Sequence, residues 1–256
     1  ERNKGATPGD WDVIGTAPHK WLRDSRSNIG LQTSTDYQLL FSRDFLRLSN
    51  RYLELLAASH QPTPGLESVA YNAYNGFTMQ FPLILAAVTP IDDDETFRAK
   101  ANMVAGFLDL FVARRMVNYR NFGYSTVVYT MFNLAKEIRD LELGELAEVL
   151  GARTAELTDT FGAVGNYRMH QRNPSHIRYL LARITAWIAE QVSETLSFAD
   201  LVTRNTADPF EIEHIWANHA DRQPTLTEVA FADQRNSFGG LLLLPKSFNA
   251  SYGDMS

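Results

Sequence analysis

Apolar residues recur at three- and four-residue steps through most of the chain, the spacing that puts them on one face of a helix. Over residues 35–58 the series is Leu39, Leu40, Phe41, Phe45, Leu48, Tyr52, Leu55 and Leu56. It predicts a long helix, capped by Ser34 or Thr35 and ended by the run from His60 to Gly65. Further helices are expected at residues 18–25, 66–74, 78–88, 92–119, 124–139, 145–160 and 175–192. Pro82 falls in the first turn of its segment, where a missing N–H costs least, and Pro174 opens the last. Asp92, Asp93, Asp94 and Glu95 sit where a helix N-terminus favours negative charge, which explains them better than a metal site does. Residues 1–15 and 162–173 are rich in glycine, proline, asparagine or aspartate and read as irregular.

After residue 205 the period changes. Phe210, Ile212 and His214 alternate with Glu211, Glu213 and Ile215, a two-residue repeat that predicts a short strand. A polar stretch, 218–236, separates it from a second apolar run, Leu241 to Leu244, which Pro245 stops. A helix is expected to begin at Ser247. The expected architecture is therefore mainly α: a helical domain over 1–205, followed at 206–256 by a small ββα module.

Composition narrows the class. The 256 residues are 45% hydrophobic and 21% charged, as in an ordinary globular protein, and no run approaches 18 apolar residues, so no membrane span is expected. The first residues have no apolar stretch of the secretory kind. A first residue of Glu in place of Met points to a processed chain or a piece of a longer one. The absence of cysteine rules out disulfides and thiolate zinc sites and fits a cytoplasmic location. A net charge of −6 argues against coating nucleic acid through bulk charge, so any DNA contact must come from local basic patches. Two long stretches lack acids altogether. Residues 110–136 carry Arg114, Arg115, Arg120 and Lys136; residues 161–189 carry Arg168, Arg172, Arg178 and Arg183, with Tyr167, His170 and His176 beside them. Arg114, Arg115, Arg120, Arg168, Arg172 and Arg178 are the candidate phosphate track. Pairing with acids elsewhere in the bundle is the equally weighted alternative. Trp187 is expected in the core.

The chemistry concentrates in the C-terminal segment. His214 supplies a neutral imidazole near pH 7 and so a general base for water, while Glu213 and the amide oxygen of Asn249 are hard oxygen ligands suited to Mg²⁺ or Mn²⁺. Strict strand alternation puts Glu213 and His214 on opposite faces, a tension for any shared site. His219 with Glu211 or Glu213 is a weaker alternative, a zinc site.

In order, the segment reads Ile212-Glu213-His214-Ile215, Arg235-Asn236, Gly239-Gly240-Leu241-Leu242-Leu243-Leu244 and Ser247-Phe248-Asn249. This resembles the HNH nuclease region at the C-terminus of GmrSD-type modification-dependent restriction proteins and of phage-defence proteins such as SspE. Val112-Ala113-Arg114-Arg115 and Tyr119-Arg120-Asn121-Phe122-Gly123-Tyr124-Ser125-Thr126 are similar to the helical region that precedes the motif in that family. The resemblance implies a metal-dependent DNA endonuclease or nickase of antiviral restriction, acting on phage or modified DNA with Mg²⁺ or Mn²⁺. It places the general base at His214 and metal ligands at Glu213 and Asn249, with Asp254 a further candidate. It also implies an N-terminal ParB-like nucleotide-hydrolysing sensor domain; no DGQQR or P-loop motif occurs in this sequence. The family's strand asparagine is replaced by Gly240, which leaves Asn236 to orient the histidine, and the segment beyond Asn249 is short. The competing expectation is a non-catalytic helical module that binds DNA or a partner and carries an inactive HNH remnant.

Overall fold

A computed structural model describes residues 7–223 and 225–248. By contact the chain divides into two compact units, Glu1–Val112 with Asn121–Leu157, and Ala113–Arg120 with Thr158–Ser256. Mainly α is the observed class: among the described residues the only sheet is two-stranded.

The first unit is helical. Helices α1 (Pro8–Thr16), α2 (Pro18–Asp24) and α3 (Ser34–Leu39) precede a π-helical turn, Leu40–Phe45, that runs directly into α4 (Leu46–His60). They are followed by α5 (Glu67–Tyr74), α6 (Gln80–Ala87), α7 (Asp94–Val117, which from Ala113 on belongs to the second unit), α8 (Tyr124–Glu137) and α9 (Leu143–Glu156). Leu55, Leu66, Val69, Leu83, Ile84, Phe97, Val104 and Leu108 are fully buried and form the core. Two buried polar groups within it find partners: the Nδ2 of Asn72 donates to the Ala105 carbonyl at 3.0 Å, and Lys100 meets Asp92 at 3.0 Å with both side chains out of solvent. Asp92 thus serves as the counter-ion of a buried lysine, whereas Asp93 caps α7 through the Thr96 N–H at 2.8 Å.

Two expectations fail here. Residues 8–16 are helical, started by Pro8 at the first helical position and a reciprocal Thr7–Asp10 box that satisfies two end N–H groups. In the long helix at 35–58 the π turn shifts the register of the apolar series, so Phe41 and Phe45 emerge 54% and 64% exposed.

The second unit contains α10 (Pro174–Gln191), α11 (Phe198–Val202), strand β1 (Phe210–His214), α12 (Glu228–Arg235) and strand β2 (Leu241–Pro245). The strands pair antiparallel, with Ile212 opposite Leu243 and His214 opposite Leu241. Opposite residues of an antiparallel pair share a face. Leu241 and Leu243 are buried, together with Ile177, Leu180, Leu181 and Leu201, and α10 packs against β2. Residues 158–205 therefore cluster with the hairpin, and the contact boundary falls well before the change of period at residue 206. Helix α12 lies inside the stretch read as polar, for which no element was expected. Thr227 caps it by accepting the Ala230 N–H, and only Phe231 of the helix is buried, which is why no periodicity announced it. Trp187 is 61% exposed, in the C-terminal half of α10 beyond its run of buried residues at 177–182, so its expected core position is corrected.

Candidate functional site

His214 ends β1, on the same face as Ile212 and Leu243. Its Nε2 lies 3.0 Å from Oδ1 of Asn236, the residue that closes α12. The Nδ2 of Asn236 donates to the Ala232 carbonyl at 2.8 Å, and a carbonyl only accepts, so the amide orientation is fixed. The oxygen facing His214 must then accept, which puts the imidazole proton on Nε2. In the neutral ring Nδ1 is consequently the lone-pair nitrogen. Burial lowers the His214 pKa; the Asn236 hydrogen bond opposes that, the Arg235 charge adds to it, and Glu213 opposes it. At neutral pH the ring is therefore an uncharged base.

Asn236 is itself held from a second side. Its carbonyl accepts the Met169 N–H at 2.8 Å, and the Tyr167 carbonyl accepts the Phe238 N–H at 2.9 Å, so residues 167–169 run antiparallel beside 236–238. Arg235 donates to the Trp216 carbonyl at 3.0 Å, and Trp216 stacks on Phe231. These contacts tie the end of α12 to the loop that leaves β1.

Gly240 stands where the resembled family has asparagine, and the local geometry explains the glycine. A Cβ there would lie 3.1 Å from the Arg235 carbonyl oxygen and 3.2 Å from that of Gln234. The Gly240 carbonyl also accepts the Ile215 N–H at 2.9 Å, extending the hairpin by one bond past His214.

Asp208 closes the other end of the hairpin. Its carboxylate accepts the Ser247 hydroxyl at 2.6 Å and the Ser247 N–H at 2.8 Å, and these two bonds lower its pKa. Residues 246–248 are helical, so the aspartate caps the start of the segment that leads to Asn249. Asn249 and Asp254 lie outside the described residues.

Glu213 pairs with Leu242 across the sheet, on the face opposite His214. Among the described residues no group of three histidine, aspartate or glutamate side chains is placed to hold a metal ion. Those residues alone do not fit a divalent cation, and neither Glu213 with His214 nor His219 with Glu211 or Glu213 makes a closed donor set. His219 instead approaches Asp221 at 3.6 Å.

All six candidate arginines fall in the second unit, and acids from outside the acid-free stretches reach several of them. Arg168 forms a two-point pair with Asp233, at 3.0 and 3.1 Å. Arg115 and Arg120 lie 3.9 and 3.7 Å from Asp159, and Arg114 sits over the Phe161 ring. Arg178 is the correction. It is only 6% exposed and donates to the carbonyls of Phe210 and Leu201, bracing β1 and α11 from beneath, so it cannot meet a phosphate backbone. Arg120, whose side chain is 67% exposed, and Arg172, also exposed, are the open members of the track.

One residue escaped the sequence reading. Tyr119 ends α7 in the left-handed region, φ 55°. The Arg120 N–H returns to the Arg115 carbonyl at 2.8 Å, the bond pattern that normally has glycine at this position. A non-glycine residue there costs about 1–2 kcal/mol. Its hydroxyl accepts the Arg168 N–H at 2.7 Å, and its ring packs on Tyr167, with centroids 5.1 Å apart.

Compared with protein-family models, curated proteins and solved structures, the chain matches none. Among the described residues no helix is long and apolar enough to cross a membrane.

Proposed function

We propose that the second unit is an HNH-type phosphodiester hydrolase that nicks or cleaves DNA, with His214 as general base. The observation that carries the reading is the Asn236 bond to His214. It fixes the proton on Nε2 and leaves Nδ1 to take a proton from water. As that proton transfers, the water oxygen attacks phosphorus, the bond to the leaving sugar oxygen breaks, and that oxygen takes a proton from solvent. The order of His214, Asn236 and the glycine-led strand supports the likeness to restriction nucleases of the GmrSD type. Of the candidate arginines, the exposed Arg120 and Arg172 are the ones that reach solvent to meet the phosphate backbone.

A divalent ion, Mg²⁺ or Mn²⁺, belongs to the same proposal. Of its expected ligands Glu213 lies across the sheet from the base, so no step is assigned to the ion. A cytoplasmic role in antiviral restriction, and a ParB-like sensor partner, rest on the resemblance alone.

The test is plasmid cleavage with Mg²⁺, with Mn²⁺ and with EDTA. His214→Ala should keep the thermal transition of the wild type and lose about 10²- to 10⁴-fold in rate, the range a positioned base contributes. Undiminished cutting by that variant would overturn the assignment. The second reading, a non-catalytic DNA-binding module, is favoured by the separation of Glu213 from His214; it predicts binding without cutting under all three conditions.

A further inference from the structure

Tyr119 and His170 are both exposed, and their rings are nearly parallel, 25° between planes with centroids 6.0 Å apart. Open cations adjoin each of them in the chain, Arg120 after Tyr119 and Arg172 two residues past His170. The rings are held firmly. Tyr119 keeps a conformation suited to glycine and is anchored through its hydroxyl; the His170 backbone N–H donates to Oδ1 of buried Asn173 at 2.8 Å, and its ring Nδ1 accepts the Arg172 N–H at 3.2 Å. A short hydrogen-bonded path joins this pair to the candidate base. Tyr119 holds the backbone of Arg168, the next N–H, of Met169, holds the Asn236 carbonyl, and the Asn236 side chain holds His214.

A tyrosine whose only task was to anchor residue 168 could bury its ring. Tyr119 instead leaves 53% of itself in solvent, stacked beside an exposed imidazole. Exposed flat rings suit a nucleobase, and arginines that adjoin both rings in the chain suit the phosphates on either side of it. In a matched duplex each base face is already covered by its neighbours, so only an unpaired base can offer one, and unstacking costs least where pairing is already lost.

We propose that Tyr119 and His170 form a base-stacking platform, and that the strand presented to His214 is single-stranded or locally opened DNA with an unpaired base near the scissile phosphate. The strand's fate at His214 rests on the nuclease reading; the binding does not. In a chain of net charge −6, stacking supplies affinity that salt does not screen.

The test is fluorescence anisotropy in EDTA, which prevents metal-dependent cleavage, with three labelled DNA probes: a single strand, a matched hairpin duplex, and the same duplex with one unpaired base. Wild type should bind the first and third about tenfold more tightly than the matched duplex. Tyr119→Leu and His170→Ala should remove that preference, whereas Tyr119→Phe, which keeps the ring and loses the hydroxyl, should retain it. If Tyr119→Leu fails to fold, His170→Ala with an unchanged melting curve decides. Equal affinity for all three probes, or a preference that survives His170→Ala, would overturn the platform. The plasmid assay runs in parallel: cutting that depends on His214 without a probe preference sinks the platform alone, and a preference without cutting sinks the nuclease alone.

Discussion

The bond between Asn236 and His214 sets two properties of one side chain, its tautomer and its charge. Burial outweighs the hydrogen bond and holds the folded pKa below the ordinary histidine value near 6.5. The sign for catalysis follows directly. A base must be unprotonated, so the rate should climb with pH through the folded pKa and be level above about 6.5. For stability the unfolded chain takes up the proton first as pH falls, so His214 contributes stability above the unfolded pKa and loses it on acidification. Asn236→Asp tests the arrangement. A carboxylate beside the ring favours the imidazolium, so the acid limb of the pH–rate profile should move to higher pH, while loss of the Nδ2 bond to the Ala232 carbonyl lowers the transition temperature. A limb that stays in place, measured on the same plasmid substrate, would mean that His214 is not the titrating base.

Among the elements, the helices were legible because their apolar periods are long and their ends carry recognisable signals. The α7, α8 and α10 segments each fall within two residues of expectation, with Asp93 at the start of α7 and Pro174 opening α10. The two strands were legible as well, one from its alternation and one from its apolar run. What stayed hidden depends on contacts distant in sequence. Helix α12 buries a single phenylalanine, and the burial of Arg178 depends on a hairpin that crosses above it more than thirty residues later. A left-handed tyrosine carries no local mark. Gly240 belongs with these, since its need is set by carbonyls of α12 that fold back onto it. Restoring the asparagine of the resembled family, Gly240→Asn, should therefore destabilise by about 1–3 kcal/mol, the range for side chains forced into occupied space. Because the displaced carbonyls belong to Gln234 and Arg235, the shift should reach Asn236 and slow cleavage too. A variant that melts at or above the wild-type temperature and cuts faster would show that the α12 end yields and that the asparagine has a catalytic use.

At the scale of the molecule, the candidate site depends on a segment far from it in sequence. Residues Ala113–Arg120 belong by contact to the unit that contains the hairpin. Their ties to that unit are specific: Asn118 donates to the Thr160 carbonyl at 2.8 Å, Arg115 and Arg120 approach Asp159, and Tyr119 receives the Arg168 N–H. Arg168 in turn is the middle of the short stretch, 167–169, that pairs with residues 236–238 and so holds Asn236 against His214. A fragment of residues 158–256 would retain every residue of the hairpin and of α12 yet lack this support, and its Tyr167 ring would lose a packing partner in Tyr119. Ring pairs of this kind contribute about 0.5–1.5 kcal/mol beyond burial, and each lost hydrogen bond about 0.5–1.5 more, a large share of the stability expected for a unit of this size. The fragment should therefore melt well below the full chain or without a cooperative transition, by circular dichroism, and should not cut plasmid DNA. A fragment with a sharp transition at the full-chain temperature and undiminished cutting would place the whole site within the C-terminal hundred residues and assign the end of α7 no part in it.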